Sequence, residues 1–357
     1  MCTVKYRDDL KVVTFKAPEG SKRKIVFDYY MKMATYPWTP AEDFCITWAP
    51  GEEKRYDLAL KHKKGKTYYG VPYGNTKGNF DEFLDHLDMS GSFSCDSYYY
   101  RDIVGNHCSS SMFFAFQQIM PVGYGTFRPS TERKGLFSLC GDLKNPGEGR
   151  WYSKDVFELN GAESVYEAFA SMEYSDILFK CIPGSGHVRM VSSVDVNRNE
   201  DGVIDPDNSF VYVVEHTNLW YTEDKNSSWF IDKRYKFSTL LRTGFMPITA
   251  DIFHDNTPIT DAYLFYDGHN QKTFKNGILG KIYSNYPLSY ARLTVTDKDG
   301  NTVKKKEFRN LYAIFSIDLD PEEEKDLFDL PKGTYTFKVR AGISRGSCDL
   351  EEFDFII

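Results

Sequence analysis

Three short stretches combine residue types suited to nucleophilic chemistry. The first is Asn106-His107-Cys108-Ser109-Ser110-Ser111, which runs into an apolar stripe of Met112, Phe113, Phe116 and Met120. The stripe has helical spacing and Pro121 stops it, so Cys108 is expected at a helix start. Unsatisfied N–H groups and the helix dipole at that end favour an anion, which lowers a thiol pKa and supplies donors to a developing oxyanion. The second runs from Asp176 to Val191 and reads as strand, glycine loop and strand, with Gly184-Ser185-Gly186 ahead of His187. An imidazole at a strand start is well placed as a general base toward a thiol on a neighbouring helix. The third is Val214-Glu215-His216-Thr217-Asn218, at the end of the next strand. A carboxylate there would accept the second imidazole N–H and fix its tautomer. Strand alternation points Glu215 and His216 to opposite faces. That leaves Glu215 and His216 both as candidates for the third member.

The elements that must position these residues are a few helices followed by strands. A helix is expected over 21–34, with Ser21 as N-cap and Ile25, Val26, Tyr29, Tyr30 and Met33 on one face. Another is expected over 162–172. Strands are expected at 177–179, 187–194 and 209–216, with a hairpin turn at Asn199-Glu-Asp-Gly202. Helices first and strands later suit an α+β layout better than a doubly wound parallel sheet. Beyond about residue 258, short alternating strands, including 291–296 and 333–340, indicate a small β-sandwich. The expected division is therefore 1–258 and 259–357. The Tyr98-Tyr99-Tyr100 run either lines a groove or packs on a loop. The run at 321–326, with Glu322, Glu323 and Glu324, reads as a solvated turn face.

Composition narrows the function classes. The chain has 357 residues, 41% hydrophobic and 27% charged, which is the balance of a folded protein. Aromatics reach 16%, enough for a large core and an aromatic-lined cleft. A net charge of −7 argues against nucleic acid or anionic lipid as a bulk electrostatic partner. No apolar run approaches the ~18 residues of a membrane-spanning helix. The first residues lack the apolar core of an export signal, which leaves a cytoplasmic chain or an exported one whose signal was removed. The seven cysteines include no CxxC pair, so no zinc site is expected; no cofactor is expected either. The stretch from Asn197 spaces its oxygen ligands like a calcium loop, but Asn208 stands where the bidentate glutamate belongs, so a hairpin turn is the better reading.

The order of Cys108, then Asp176-x-Leu178-Phe179 with Gly186-His187-Val188, then Glu215-x-x-Asn218, resembles NlpC-type and CHAP-type cysteine peptidases and amidases of bacteria. Tyr69-Gly-Val-Pro-Tyr73-Gly74 resembles the segment that precedes the nucleophile in the NlpC group. The resemblance covers roughly residues 20–250 and implies a papain-like catalytic domain followed by an accessory sandwich. It implies Cys108 as nucleophile, His187 as base and, through the resemblance of Glu215 and Asn218 to the CHAP ending, Glu215 as orienting residue, with His216 as the reserve choice. Tyr73, His107 and Asn218 would then bind substrate, with His107 also able to tune the thiolate. The implied substrate is a peptide or peptidoglycan fragment, cleaved at an amide bond. His107 and Ser110 depart from the family's usual Asp-Cys-Ser-Gly, which motivates a rival reading as a catalytically retired binding protein. A transglutaminase-like acyl transferase is the other rival. It usually carries Asp as third member, and none occurs in 209–218.

Overall fold

The computed structural model describes residues 2–7, 10–123, 136–220, 225–267, 279–311, 313–319 and 324–357. Five α-helices are present among them. α1 (Lys22–Thr35) is capped by Ser21, whose Oγ accepts from Lys24 N at 3.3 Å, and it buries Val26, Tyr30, Met33 and Ala34. α2 (Phe80–Asp85) is capped by Asn79. α3 (Cys108–Phe116) buries every residue from Ser110 to Phe116 and packs against α1 and the main sheet. It ends short of Pro121, in turns that start at Gln117. α4 (Ser153–Ala170) begins earlier than its periodicity suggests. It kinks at Gly161, whose φ of 76° is open to glycine and not to the apolar residues around it. α5 (Phe237–Thr243) stops at Gly244 in the left-handed region.

The main sheet has six antiparallel strands in the order Trp229–Lys236, Phe210–His216, Ser185–Asp195, Ile177–Ile182, Phe245–Ala250 and Phe137–Leu139. Three of these are the expected strands, two of them extended at their ends and Phe210–His216 one residue shorter. One face packs on α3 and the aromatic core around Trp38, Phe93 and Trp229. The other meets α4 and α5 through Phe169, Leu178, Val213 and Phe237.

A second core lies between two further sheets. One is ordered Thr302–Phe308, Leu288–Asp297, Thr334–Ile343, Gly346–Ile356. The other contains the strands Ala262–Asp267, Lys281–Ser284 and Ser316–Asp318, and it also takes in Cys2–Arg7 and Leu10–Phe15. Leu10–Phe15, placed by the sequence in the first unit, thus pairs with Ala262–Asp267 and lends Val13 and Phe15 to the second core, and Cys2–Arg7 pairs with Leu10–Phe15 in turn. Ion pairs tie the units together, including Arg309–Glu82 and Arg340–Asp85. Of the acidic run at 321–326, residues 321–323 lie outside the described residues. Glu324 is buried against Lys306, not solvated.

The α+β, papain-like expectation is corrected. The chain is 38% strand and 20% helix, in five sheets, which fits a β-rich fold. The difference has a physical source. Strands of two to four residues at Pro37–Pro40, Phe44–Ile46, Leu60–His62, Tyr68–Tyr69 and Ser92–Phe93 are too short for a period-two pattern to register. Their pairing is set by packing around Trp38, not by local alternation.

Candidate active site

Cys108 is the first residue of α3, and His107 occupies the cap position with extended backbone. The turn is held by serines. Ser110 Oγ accepts from His107 N at 2.8 Å, and Ser111 Oγ donates to His107 O at 3.0 Å. The cysteine is only half-buried, while Ser110 and Ser111 beneath it are buried.

His187 is the third residue of the strand Ser185–Asp195, opposite Lys180. Its Nε2 lies 2.8 Å from Glu215 Oε2, and the ring shares the cleft wall with Cys108, whose side chain acts on its charge. The imidazole therefore interacts with both sulfur and carboxylate. Register explains the contact. Met190 pairs with Val214, so Glu215 comes beside Arg189, and His187 is the diagonal neighbour on the same face. On the far side, the pairing with Trp229–Lys236 carries a bulge whose extra residue lies in that outer strand, between Phe230 and Lys233.

Glu215 is 2% exposed and fully occupied. Arg189 Nε donates to Oε2 at 2.6 Å, the Tyr235 hydroxyl donates to Oε1 at 2.5 Å, and Lys233 Nζ is 3.6 Å away. Arg189 is itself sandwiched, 3.8 Å from the Tyr235 ring and 3.9 Å from that of Phe245. Burial would raise the Glu215 pKa. The bond to His187, the Arg189 charge and the Tyr235 hydroxyl overrule it and hold the carboxyl far below its ordinary range.

The same balance acts on the pair it supports. Burial opposes charge on Cys108, but hydrogen bonds from His107 and His187, with the charge on His187, bring the thiol down to about 5. Burial also opposes charge on His187, but Cys108 and Glu215 raise it to about 9. Between those values the site holds thiolate and imidazolium. Cys45 and Cys140 are pushed the other way by burial.

His216 points to the opposite face. It is fully buried, stacked on Trp229 at 4.0 Å, with Nδ1 2.9 Å from Asn106 Oδ1 and Nε2 3.0 Å from Ser228 Oγ. Burial first, then the nearby histidines, keep it neutral. With Asn106 Oδ1 accepting, Nδ1 carries the proton and Nε2 accepts from the serine. His216 thus anchors the residue two positions before Cys108, and the reserve assignment as third member is corrected: both its ring nitrogens are bonded to Asn106 and Ser228, leaving neither for His187.

Tyr73 joins the cleft wall. Gly74 N donates to Asn106 O at 2.9 Å and Asn106 N to Pro72 O at 3.1 Å, which lace this segment to the start of α3. Gly105 makes the lacing possible, because a Cβ there would lie 2.4 Å from Pro72 O. The Tyr73 ring stacks on Tyr100 at 5.7 Å and meets His216 edge-on at 5.0 Å. Of the tyrosine run, Tyr100 lines the cleft while Tyr98 stacks on Phe44. Asn218, read as substrate-binding, is not in the cleft wall. Its Nδ2 donates to Asp57 O at 3.0 Å, beneath the loop carrying Tyr56. The cleft measures about 650 Å³ and runs past His107, Cys108 and His187.

The sequence reading missed Arg189, Tyr235 and Arg150. Arg189 had a signal, since it stands two residues after His187 on the same strand face. Tyr235 had none, because its place depends on the pairing of the outermost strand. The calcium-like stretch is a turn in which Asn199 Oδ1 accepts from Asp201 N and Val203 N. Among the described residues no cluster of His, Cys, Asp or Glu is arranged to hold a metal ion, and no helix is long and apolar enough to cross a membrane. Compared with family models, curated proteins and solved structures, the chain matches none of them.

Proposed function

We propose that this chain is a cysteine hydrolase that cleaves an amide bond through Cys108, His187 and Glu215. The observation that carries the reading is the continuous chain from sulfur to imidazole to buried carboxylate at the wall of an open cleft. The thiolate attacks the carbonyl carbon, and the negative charge moves to the carbonyl oxygen. The Cys108 backbone N–H, at the helix start, steadies that oxyanion. As the C–N bond breaks, His187 gives its proton to the leaving amine, and an acyl-enzyme remains on the sulfur. Neutral His187 then takes a proton from water, hydroxide attacks the thioester, and the acid departs with the thiolate and imidazolium restored. Glu215 stays ionised throughout and keeps Nε2 protonated, leaving Nδ1 for the sulfur side. The motif resemblance supports peptidoglycan stem peptides as the substrate.

The test is paired. Iodoacetamide at neutral pH should alkylate Cys108 much faster than the other six cysteines, and Cys108→Ala should abolish both this labelling and release of amine from a muropeptide. Uniformly slow labelling, or hydrolysis retained by the alanine variant, rejects the reading.

A further inference from the structure

The cleft carries a charge bias that the whole chain does not. Net charge is −7, yet the cleft wall includes Arg55, Arg101 and Arg150 and neither aspartate nor glutamate among the described residues. Two of the three have a carboxylate within 4.0 Å, close for Arg101 and loose for the exposed Arg55. Arg101 Nε lies 2.7 Å from Glu52, and Arg55 Nη2 lies 4.0 Å from Glu53. Arg150 is held differently. Its Nε donates to Cys181 Sγ at 3.2 Å, and its guanidinium sits 5.1 Å from the Tyr152 ring. Neither neighbour neutralises it. Among the described residues Arg150 has no carboxylate partner, and its two Nη groups meet no acceptor.

A guanidinium fixed by one nitrogen and one ring face keeps its outer edge free, and that edge matches a carboxylate in bidentate geometry. A cleft lined by one sign of charge also concentrates ligands of the other sign. Across the cleft, the Trp48, Tyr56 and Tyr100 rings meet edge to face at 4.9–6.0 Å and make a rigid apolar wall. We propose that the cleft selects an anionic acyl donor, Arg150 holding a carboxylate of the peptide while its scissile amide lies against Cys108. This specificity rests on the cysteine-hydrolase reading of the same site. The carboxylate is either an acidic side chain or the peptide's own C-terminus.

The experiment compares alkylation of Cys108 in the full chain by iodoacetate and by iodoacetamide, each normalised to a free thiol. The expected iodoacetate preference falls about 3- to 10-fold in Arg150→Gln, and it falls in the unaltered protein when salt rises to roughly 0.5 M. The salt arm does not depend on the variant folding. Two peptide pairs then separate the carboxylate sources: Glu against Gln with an amidated end, and a free against an amidated end with Gln. A higher kcat/KM for one acidic member, reduced in Arg150→Gln, supports the proposal and names the source. A Cys108 that reacts with both reagents, with a ratio indifferent to Arg150 and to salt, overturns the proposal and leaves the hydrolase reading standing. A Cys108 inert to both reagents overturns the two together.

Discussion

Replacing Glu215 by Gln isolates the carboxylate while keeping an oxygen to accept from His187 Nε2. His187 is raised from an ordinary 6.5 to about 9. At about 1.36 kcal/mol per unit, that is ~3 kcal/mol in favour of the imidazolium. It is a net figure, because burial works against it, and two anions supply it: Cys108 and Glu215. Removing one of the two takes away part of that ~3 kcal/mol, so the variant should titrate His187 below about 9, and the alkaline limb of the rate profile should move down with it. The remaining loss comes from a less firmly oriented ring and is expected at ~10- to 100-fold in kcat/KM. The assay is kcat/KM against pH, alongside the pH dependence of Cys108 alkylation. Arg189 loses its anionic partner in this variant, so some stability is forfeited as well, and melting must be followed in parallel. A folded Glu215→Gln protein whose alkaline limb stays near 9 would refute the claim that this carboxylate sustains the imidazolium.

The other predictions concern the sulfur, the lacing beneath it and the contact between the two units. His107→Ala removes one of the two imidazoles bonded to Cys108, so the acid limb of the alkylation profile should rise from about 5; an unmoved limb would show that His187 alone depresses the thiol. Gly105→Ala would drive a Cβ to 2.4 Å from Pro72 O, so the melting temperature should fall by an amount equivalent to ~2 kcal/mol, and a neutral effect would mean that the lacing is loose. Burial, opposed by Arg309, raises Glu82 from 4.5 to about 7, so the folded chain binds the proton more tightly than the unfolded one. Its contribution to stability is full below pH ~4.5 and is lost as pH rises through about 7. Denaturant titrations of Glu82→Gln should show a shallower fall in stability across that window, and a parallel dependence would contradict the assignment.

The site was more legible than the fold, and the reason is the range over which each is encoded. The helix start at Cys108 is written within about fifteen residues, from the serine turn to Pro121. The opposite facing of Glu215 and His216 follows from alternation alone. Choosing between them needed the neighbouring strands, because the register that sets Glu215 beside Arg189, with the partners Arg189 and Tyr235, decides which of the two meets His187. The fold class lay further out of reach. The Leu10–Phe15 strand finds its partner at Ala262–Asp267, some 250 residues away, and no local pattern announces that pairing. The short strands around Trp38 are placed by aromatic packing among residues from five separate segments. Arg150 stood in a stretch rich in glycine and charge, Asn145-Pro-Gly-Glu-Gly-Arg150, which reads locally as solvated loop. What makes it more than that is its grip on Cys181, a residue of the strand that pairs with the His187 strand. A side chain thus becomes part of a site through the element it is pinned to, and the pinning of Arg150 to the hairpin that presents His187 gives a surface arginine a place in the wall of the cleft that also holds Cys108.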